Sequence, residues 1–155
     1  MNATPRPRTW ATERLDELVR KPAPILPPVI QTLRLGALDE WGVGWIKKRC
    51  QPHPDLLNVD GSLFGGYIAA LADQALAFAA MTMVPKDRVF RTINMTVNFI
   101  RVGRAHPLAI EAVVVAQTRT LLTVRATLKR EDGELIAEAT AQQVLQSLEE
   151  VGESR

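Results

Sequence analysis

A chain of 155 residues, 46% hydrophobic and 23% charged, is long enough for one domain with its own core, and its composition excludes wholesale disorder. A formal charge of +2, with a sequence pI near 9.0, is too small a surplus to demand a nucleic-acid partner, although it leaves room for anionic small molecules. The single cysteine, Cys50, excludes an internal disulfide and suits a reducing compartment, so a cytoplasmic location is expected.

Residues 1–8 are polar and basic and no apolar stretch follows, so no signal peptide is expected. Over residues 9–20, Ala11, Leu15, Leu18 and Val19 share one face of a short amphipathic helix, with Thr9 or Thr12 as its cap. Pro22, Pro24, Pro27 and Pro28 then mark a linker, and a second short helix is predicted from Pro28 to about Leu33. Residues 1–32 thus read as a helical, proline-rich extension, 33–148 as the domain proper, and 149–155 as a frayed tail. Residues 37–50 read as an irregular first strand bent at Gly42 and Gly44, and 51–62 as a loop.

A helix follows from about Gly65 to Met83. The stretch 63–84 is apolar enough to raise a membrane span, but Asp73 and Gln74 sit in its middle. A central Asp costs roughly 2.5–3.5 kcal/mol on insertion, so the segment reads as a core helix and no membrane is expected. Beyond it the period switches to two. Alternating strands are predicted over 90–101, 107–117, 120–130 and 135–146, with a hairpin turn at Glu131-Asp132-Gly133. The order of strand, long apolar helix and four strands predicts an α+β domain whose antiparallel sheet, of five to six strands, curls around the helix.

Asp73 is the chemical oddity. A carboxylate among Ala, Leu, Ile and Phe loses hydration, and its charged form is disfavoured unless paired; the plain alternative is a buried Asp held by Arg or backbone amides. Gly65-Gly66 open the helix, where amides lack acceptors and the dipole is positive, a place able to hold a developing oxyanion; alternatively the glycines only make a tight turn. There is no dinucleotide or Walker glycine motif, no Gly-x-Ser-x-Gly elbow, and no metal-ligand spacing around His53 or His106, so no metal is expected. Asp73 lies eight residues after Gly65, ~12 Å along the helix. One reacting carbon cannot touch both groups of the same helix. If both act, a two-fold dimer must bring them together.

Asn58, Gly61, Gly65-Gly66, Ile68, Leu71 and Asp73 resemble the N-x-x-G-x-x-H-G-G…D signature of PaaI-type hot-dog acyl-CoA thioesterases, a group similar to the phenylacetate-degradation and Arthrobacter-type 4-hydroxybenzoyl-CoA enzymes. The likeness continues through 90–101 and the hairpin at 132–140, and covers about residues 33–146. It implies the hot-dog fold and hydrolysis of acyl-CoA to free acid and coenzyme A, with coenzyme A entering only as part of the substrate and no other cofactor. It implies Asp73 as general base or nucleophile, the Gly65 amide as oxyanion donor, and Asn58 as the residue orienting water or substrate. Thr92 is implied as a hydroxyl near the carboxylate on the partner side, in keeping with its place among the polar alternates of its strand. Phe64 stands where the family has histidine. Phe64, Gly66 and Gln74 are expected at the substrate, and Arg101 and Arg104 are candidate cations for the coenzyme A phosphates, though each taken singly reads first as a solvated surface charge. The resemblance implies a homodimer, paired into a tetramer. A non-catalytic acyl-CoA binding or sensing module is the alternative, supported by Phe64. A hot-dog dehydratase is disfavoured, because neither histidine lies on the helix.

Overall fold

Thr9 decides where the chain first turns helical. Its hydroxyl accepts from the Thr12 amide at 3.2 Å while Thr12 Oγ1 accepts from the Thr9 amide at 2.9 Å, closing a capping box on α1 (Trp10–Leu18). The computed structural model describes residues 5–22 and 25–152; residues 1–4, residues 23–24 of the linker with the expected Pro24, and 153–155 of the tail lie outside it. Ala11, Leu15 and Leu18 of α1 are buried, so the extension is part of the core, as is Ile30 of α2 (Pro28–Thr32). The expected irregular first strand is a hairpin, β1 (Glu40–Gly42) and β2 (Trp45–Cys50), turned through Gly44 at φ 81°.

Then come α3 (Gly65–Met81), β3 (Arg88–Phe99), β4 (Leu108–Gln117), β5 (Leu121–Arg130), β6 (Leu135–Ser147) and α4 (Leu148–Gly152), a short helix where a frayed tail is expected. The β5–β6 turn uses Gly133 at φ 87°, as Asp132-Gly133 predicts. The sheet is antiparallel, in the order β1-β2-β4-β5-β6-β3, so β3 crosses to the far edge beside β6. Fully buried alanines on both sides, Ala72, Ala75 and Ala79 of α3 against Ala137, Ala139 and Ala141 of β6, let helix and sheet come close. This is the hot-dog arrangement that the sequence predicts. Among the described residues no helix is long and apolar enough to cross a membrane.

Two details differ from the sequence reading. The sheet does not enclose α3 completely: Gly66 and Asp73 are exposed and Ala69, Ala70 and Ala77 half-buried, so one flank stays open. The alternation of β3 also breaks. Its register against β6 shifts between Thr92 and Asn94, a bulge that accommodates Ile93. Residues directly opposite share a face, so Thr92, opposite buried Gln143, joins Met95, Val97 and Phe99 on the helix side. It does not sit with Asn94, Thr96 and Asn98.

The core also holds an ammonium. Lys48, 2% exposed, donates to Leu35 O at 2.6 Å, to Gly36 O at 3.4 Å and to Gln74 Oε1. Three acceptors satisfy it, but burial pulls its pKa down from 10.5 to about 8. Above about pH 8 the folded chain releases a proton that the unfolded chain keeps, so this group's contribution to stability rises with pH toward 10.5 and is lost as pH falls through 8. In urea unfolding between pH 7 and 9.5, wild type is expected to gain on the order of 1 kcal/mol per pH unit above pH 8 relative to Lys48→Met, which lacks the titrating group.

Candidate active site

The site starts in the turn before α3. Asn58 N–H donates to Ser62 O at 2.7 Å, Gly61 N–H to Asn58 O at 2.9 Å, and Gly61 takes φ 75°, which a glycine tolerates. The Asn58 carboxamide donates to Ser62 Oγ at 2.9 Å, and Phe64 N–H bonds Leu56 O at 3.0 Å, fixing how the chain enters the helix. Among the described residues the Gly65 and Gly66 amides have no acceptor. They sit at the positive end of the α3 dipole, which carries about half a unit charge.

Two rings flank these amides. A Cβ at Gly66 would lie 2.5 Å from Phe64 Cε1, and one at Gly65 would lie 3.5 Å from the Phe99 ring. Both phenylalanines are 56% exposed. The sequence reading missed Phe99 as a site residue, because alternation marks it only as one more strand position. Beside Gly65 opens a cavity of about 300 Å³, walled by Leu63, Ile68, Phe99, Ile100 and Val102, with Arg101 on its rim.

The two candidate cations are already engaged at this end of the molecule. Arg101 pairs with Glu134 at 3.0 Å and donates to Leu135 O at 3.1 Å, while Arg104 Nη1 reaches Gly61 O at 3.4 Å. Gln74 faces away from the open flank. It is buried, accepts from Lys48 and donates to Gly36 O at 3.0 Å.

Asp73 stands on the open flank of α3 with no hydrogen bond or ion pair to any described residue. Its side chain is exposed, yet the apolar walls around it displace enough water to raise its pKa above 3.8, with desolvation as the cause. Thr92 Oγ1 donates to Gln143 Oε1 at 2.8 Å. Phe99 marks where β3 passes Gly65, and Thr92 lies seven residues earlier, roughly 20 Å away along the strand. One protomer therefore gathers Asn58, Phe64, Gly65, Gly66, Arg101 and Arg104 at one end. Asp73 and Thr92 both lie toward the other.

The family model described as the thioesterase superfamily matches residues 60–137. No curated protein matches the chain in sequence. Solved structures share its fold. A thioesterase family protein from Silicibacter pomeroyi is 25% identical, with a TM-score of 0.74 over 88% of this chain and 98% of that one. A phenylacetic acid degradation-related protein from Ralstonia eutropha JMP134 is 22% identical, with a TM-score of 0.75 over 88% and 99%. The smu.793 protein of Streptococcus mutans UA159, solved bound to acetyl CoA, is 22% identical, with a TM-score of 0.65 over 71% and 87%.

The raised pKa of Asp73 has a stability consequence. Below 3.8 the carboxyl is neutral in both states; as pH rises through the folded pKa, the folded chain acquires an unpaired, poorly hydrated charge and loses stability. Asp73→Asn is therefore expected to melt above wild type at pH 7, with the gap closing below pH 4 in a thermal unfolding series.

Proposed function

The chain belongs to the thioesterase superfamily and is a thioester hydrolase, and we propose that it cleaves acyl-coenzyme A to free acid and coenzyme A in two sites shared between the subunits of a homodimer. The observation that carries this reading is the pairing of free helix-start amides with an unpartnered carboxylate ~12 Å further along the same helix. Neither group completes a site alone. Strand β3 offers the way to join them. It is 12 residues long, lies at the sheet edge, and is exposed over most of its length. A long unpaired edge is a template for pairing with another chain. A second copy added antiparallel about the middle of β3 extends the sheet, places the open flanks of two α3 helices together, and sets the Thr92 end of one strand beside the Phe99 end of the other. Asp73 of the partner subunit then faces Gly65. A dimer of such dimers is the tetramer we envisage, acting in the cytoplasm.

In this site the thioester carbonyl oxygen accepts from the Gly65 amide, and the helix dipole stabilises the charge that grows on it. Asp73 of the partner subunit either takes a proton from the attacking water or attacks the carbonyl carbon itself. Desolvation suits both roles, since a raised pKa makes a stronger base. The C–S bond breaks and the sulfur leaves as the coenzyme A thiol. Asn58 orients water or the acyl carbonyl from the turn below. Phe64 and Gly66 bound the thioester. Arg101 and Arg104 meet the phosphates, with Glu134 sharing Arg101. Gln74 contributes by holding the helix rather than by touching substrate. The acetyl CoA held by the Streptococcus mutans structure supports a coenzyme A ligand on this fold. Phe64 favours a second reading, acyl-CoA binding without turnover, because it removes a side-chain donor from the carbonyl.

Thiol release from a panel of aliphatic and aryl acyl-CoAs tests both readings. Asp73→Asn is expected to lower kcat by about 10²–10⁴-fold. Gly65→Pro deletes the proposed donor, and proline is tolerated at a first helical position after a residue in the extended conformation of Phe64, at φ −57° and ψ 125°. A loss of about 10²–10³-fold is expected there. Mixing the two inactive variants creates hybrids with one intact site, so about a quarter of wild-type activity is expected to return. No recovery on mixing would sink the shared site. Binding without any release of thiol by wild type would instead identify the binding module.

A further inference from the structure

The helix-facing side of β6 runs Ala137, Ala139, Ala141, Gln143, Leu145, all 4% exposed or less. One amide thus sits in an apolar row. Across β5 it faces Leu122, fully buried, and across β3 it faces Thr92. Gln143 Oε1 accepts from Thr92 Oγ1 at 2.8 Å, while Gln143 Nε2 is buried with no acceptor among the described residues. A half-satisfied amide in such a place costs stability that an apolar side chain of the same length would not. Packing therefore does not explain it. The one thing Gln143 does is hold Thr92.

That hold has a chemical consequence. A threonine hydroxyl has one proton and two lone pairs, and an unconstrained one rotates to donate or accept as its surroundings require. The bulge at Ile93 turns Thr92 to the helix side, where it is exposed. With its proton committed to Gln143, it has only lone pairs to offer. We propose that Gln143 is a positioning residue that fixes the Thr92 hydroxyl as an acceptor for the attacking water. This rests on the thioesterase reading. One water O–H donates to Thr92 Oγ1, and the other hydrogen points at the Asp73 carboxylate. As the water oxygen bonds to the acyl carbon, its second proton moves to Asp73. As the C–S bond breaks, that proton passes to sulfur, and Asp73 is again ionised. Thr92 keeps its own proton on Gln143 throughout. This arrangement selects the general-base route, because direct attack by Asp73 needs no oriented water in its first step.

A double-mutant cycle tests it. Gln143→Met keeps the length and removes the acceptor. It is expected to melt at or above wild type, yet to lower kcat about tenfold with KM changed less than about twofold. In a Thr92→Val background the same change is expected to leave kcat within about twofold, because the residue it acts through is gone. Gln143→Leu removes the acceptor with another apolar shape and is expected to lose as much as the methionine variant, which covers a failure of either one to fold; Thr92→Ser keeps the hydroxyl and is expected to stay within about threefold of wild type. Equal losses in both Thr92 backgrounds, an unchanged kcat in the apolar Gln143 variants, or a Thr92→Ser variant as slow as they are would each overturn the proposal while leaving thioester hydrolysis standing. A wild type that releases no thiol from any acyl-CoA would overturn both.

Discussion

Everything here depends on a mismatch between one helix and one sheet. Helix α3 is alanine and large aliphatic residues on nearly every side, so water is a poor neighbour for all of it. A six-stranded sheet can cover only part of that circumference, even when alanines on both surfaces let it curl close. The uncovered strip is made of Gly66, Ala69, Ala70, Asp73 and Ala77. Small side chains keep it narrow, and the polar group on it, Asp73, has no partner among the described residues. The sheet also leaves a long exposed edge, β3. On the proposed reading a second copy satisfies the strip, the edge and the carboxylate together, which makes assembly and chemistry one requirement.

The polar groups on the buried side explain why Asp73 points where it does. Successive residues on a helix are about 100° apart. Lys48 and the Gly36 carbonyl fasten Gln74 inward, and Lys48 also holds Leu35 O. Fixing Gln74 against the sheet sets the rotation of α3 and leaves its neighbour Asp73 on the open flank. The same contacts tie the segment after α2, Leu35 and Gly36, to the helix. Gln74 and Gln143 are thus opposite cases. Gln74 has partners for both ends of its amide and acts in the architecture. Gln143 has a partner for one end only among the described residues, and that partner, Thr92, belongs to the site on the proposed reading.

Much of this was legible in the sequence, because it rests on period and punctuation. The switch from a helical to a two-residue period places α3 and the four following strands to within a few residues. Asp132-Gly133 gives the hairpin. What was not legible depends on register between strands distant in sequence. The bulge at Ile93 reverses the face of Thr92, and nothing in the alternation of 90–101 signals it, because Ile93 fits the apolar series. Lys48 looks like a surface lysine until its carbonyl partners from residues 35 and 36 are brought over it. Phe99 acquires a role only because the end of β3 passes over Gly65. Gln143 did leave a trace. It falls in step with Ala137, Ala139 and Ala141, a polar residue on a row that should be dry.

The departure at Phe64 acquires a physical meaning in this setting. On the proposed reading, a histidine there would add a side-chain donor beside the thioester, and phenylalanine leaves the backbone amides alone to stabilise an oxyanion. Yet Phe64 lies over Gly66, and Phe99 lies against Gly65. Two apolar rings beside a helix start exclude water from its amides once a substrate covers them. Where water is excluded, the attraction between a fixed dipole and a growing negative charge is several times stronger than in bulk solvent. The same rings limit what can lie next to the carbonyl, since a group branched close to the thioester must fit between them. Losing a hydrogen bond and drying the remaining ones act in opposite directions on rate. On the proposed reading the pair of rings therefore sharpens selection for acyl shape at a position where a histidine would have favoured speed.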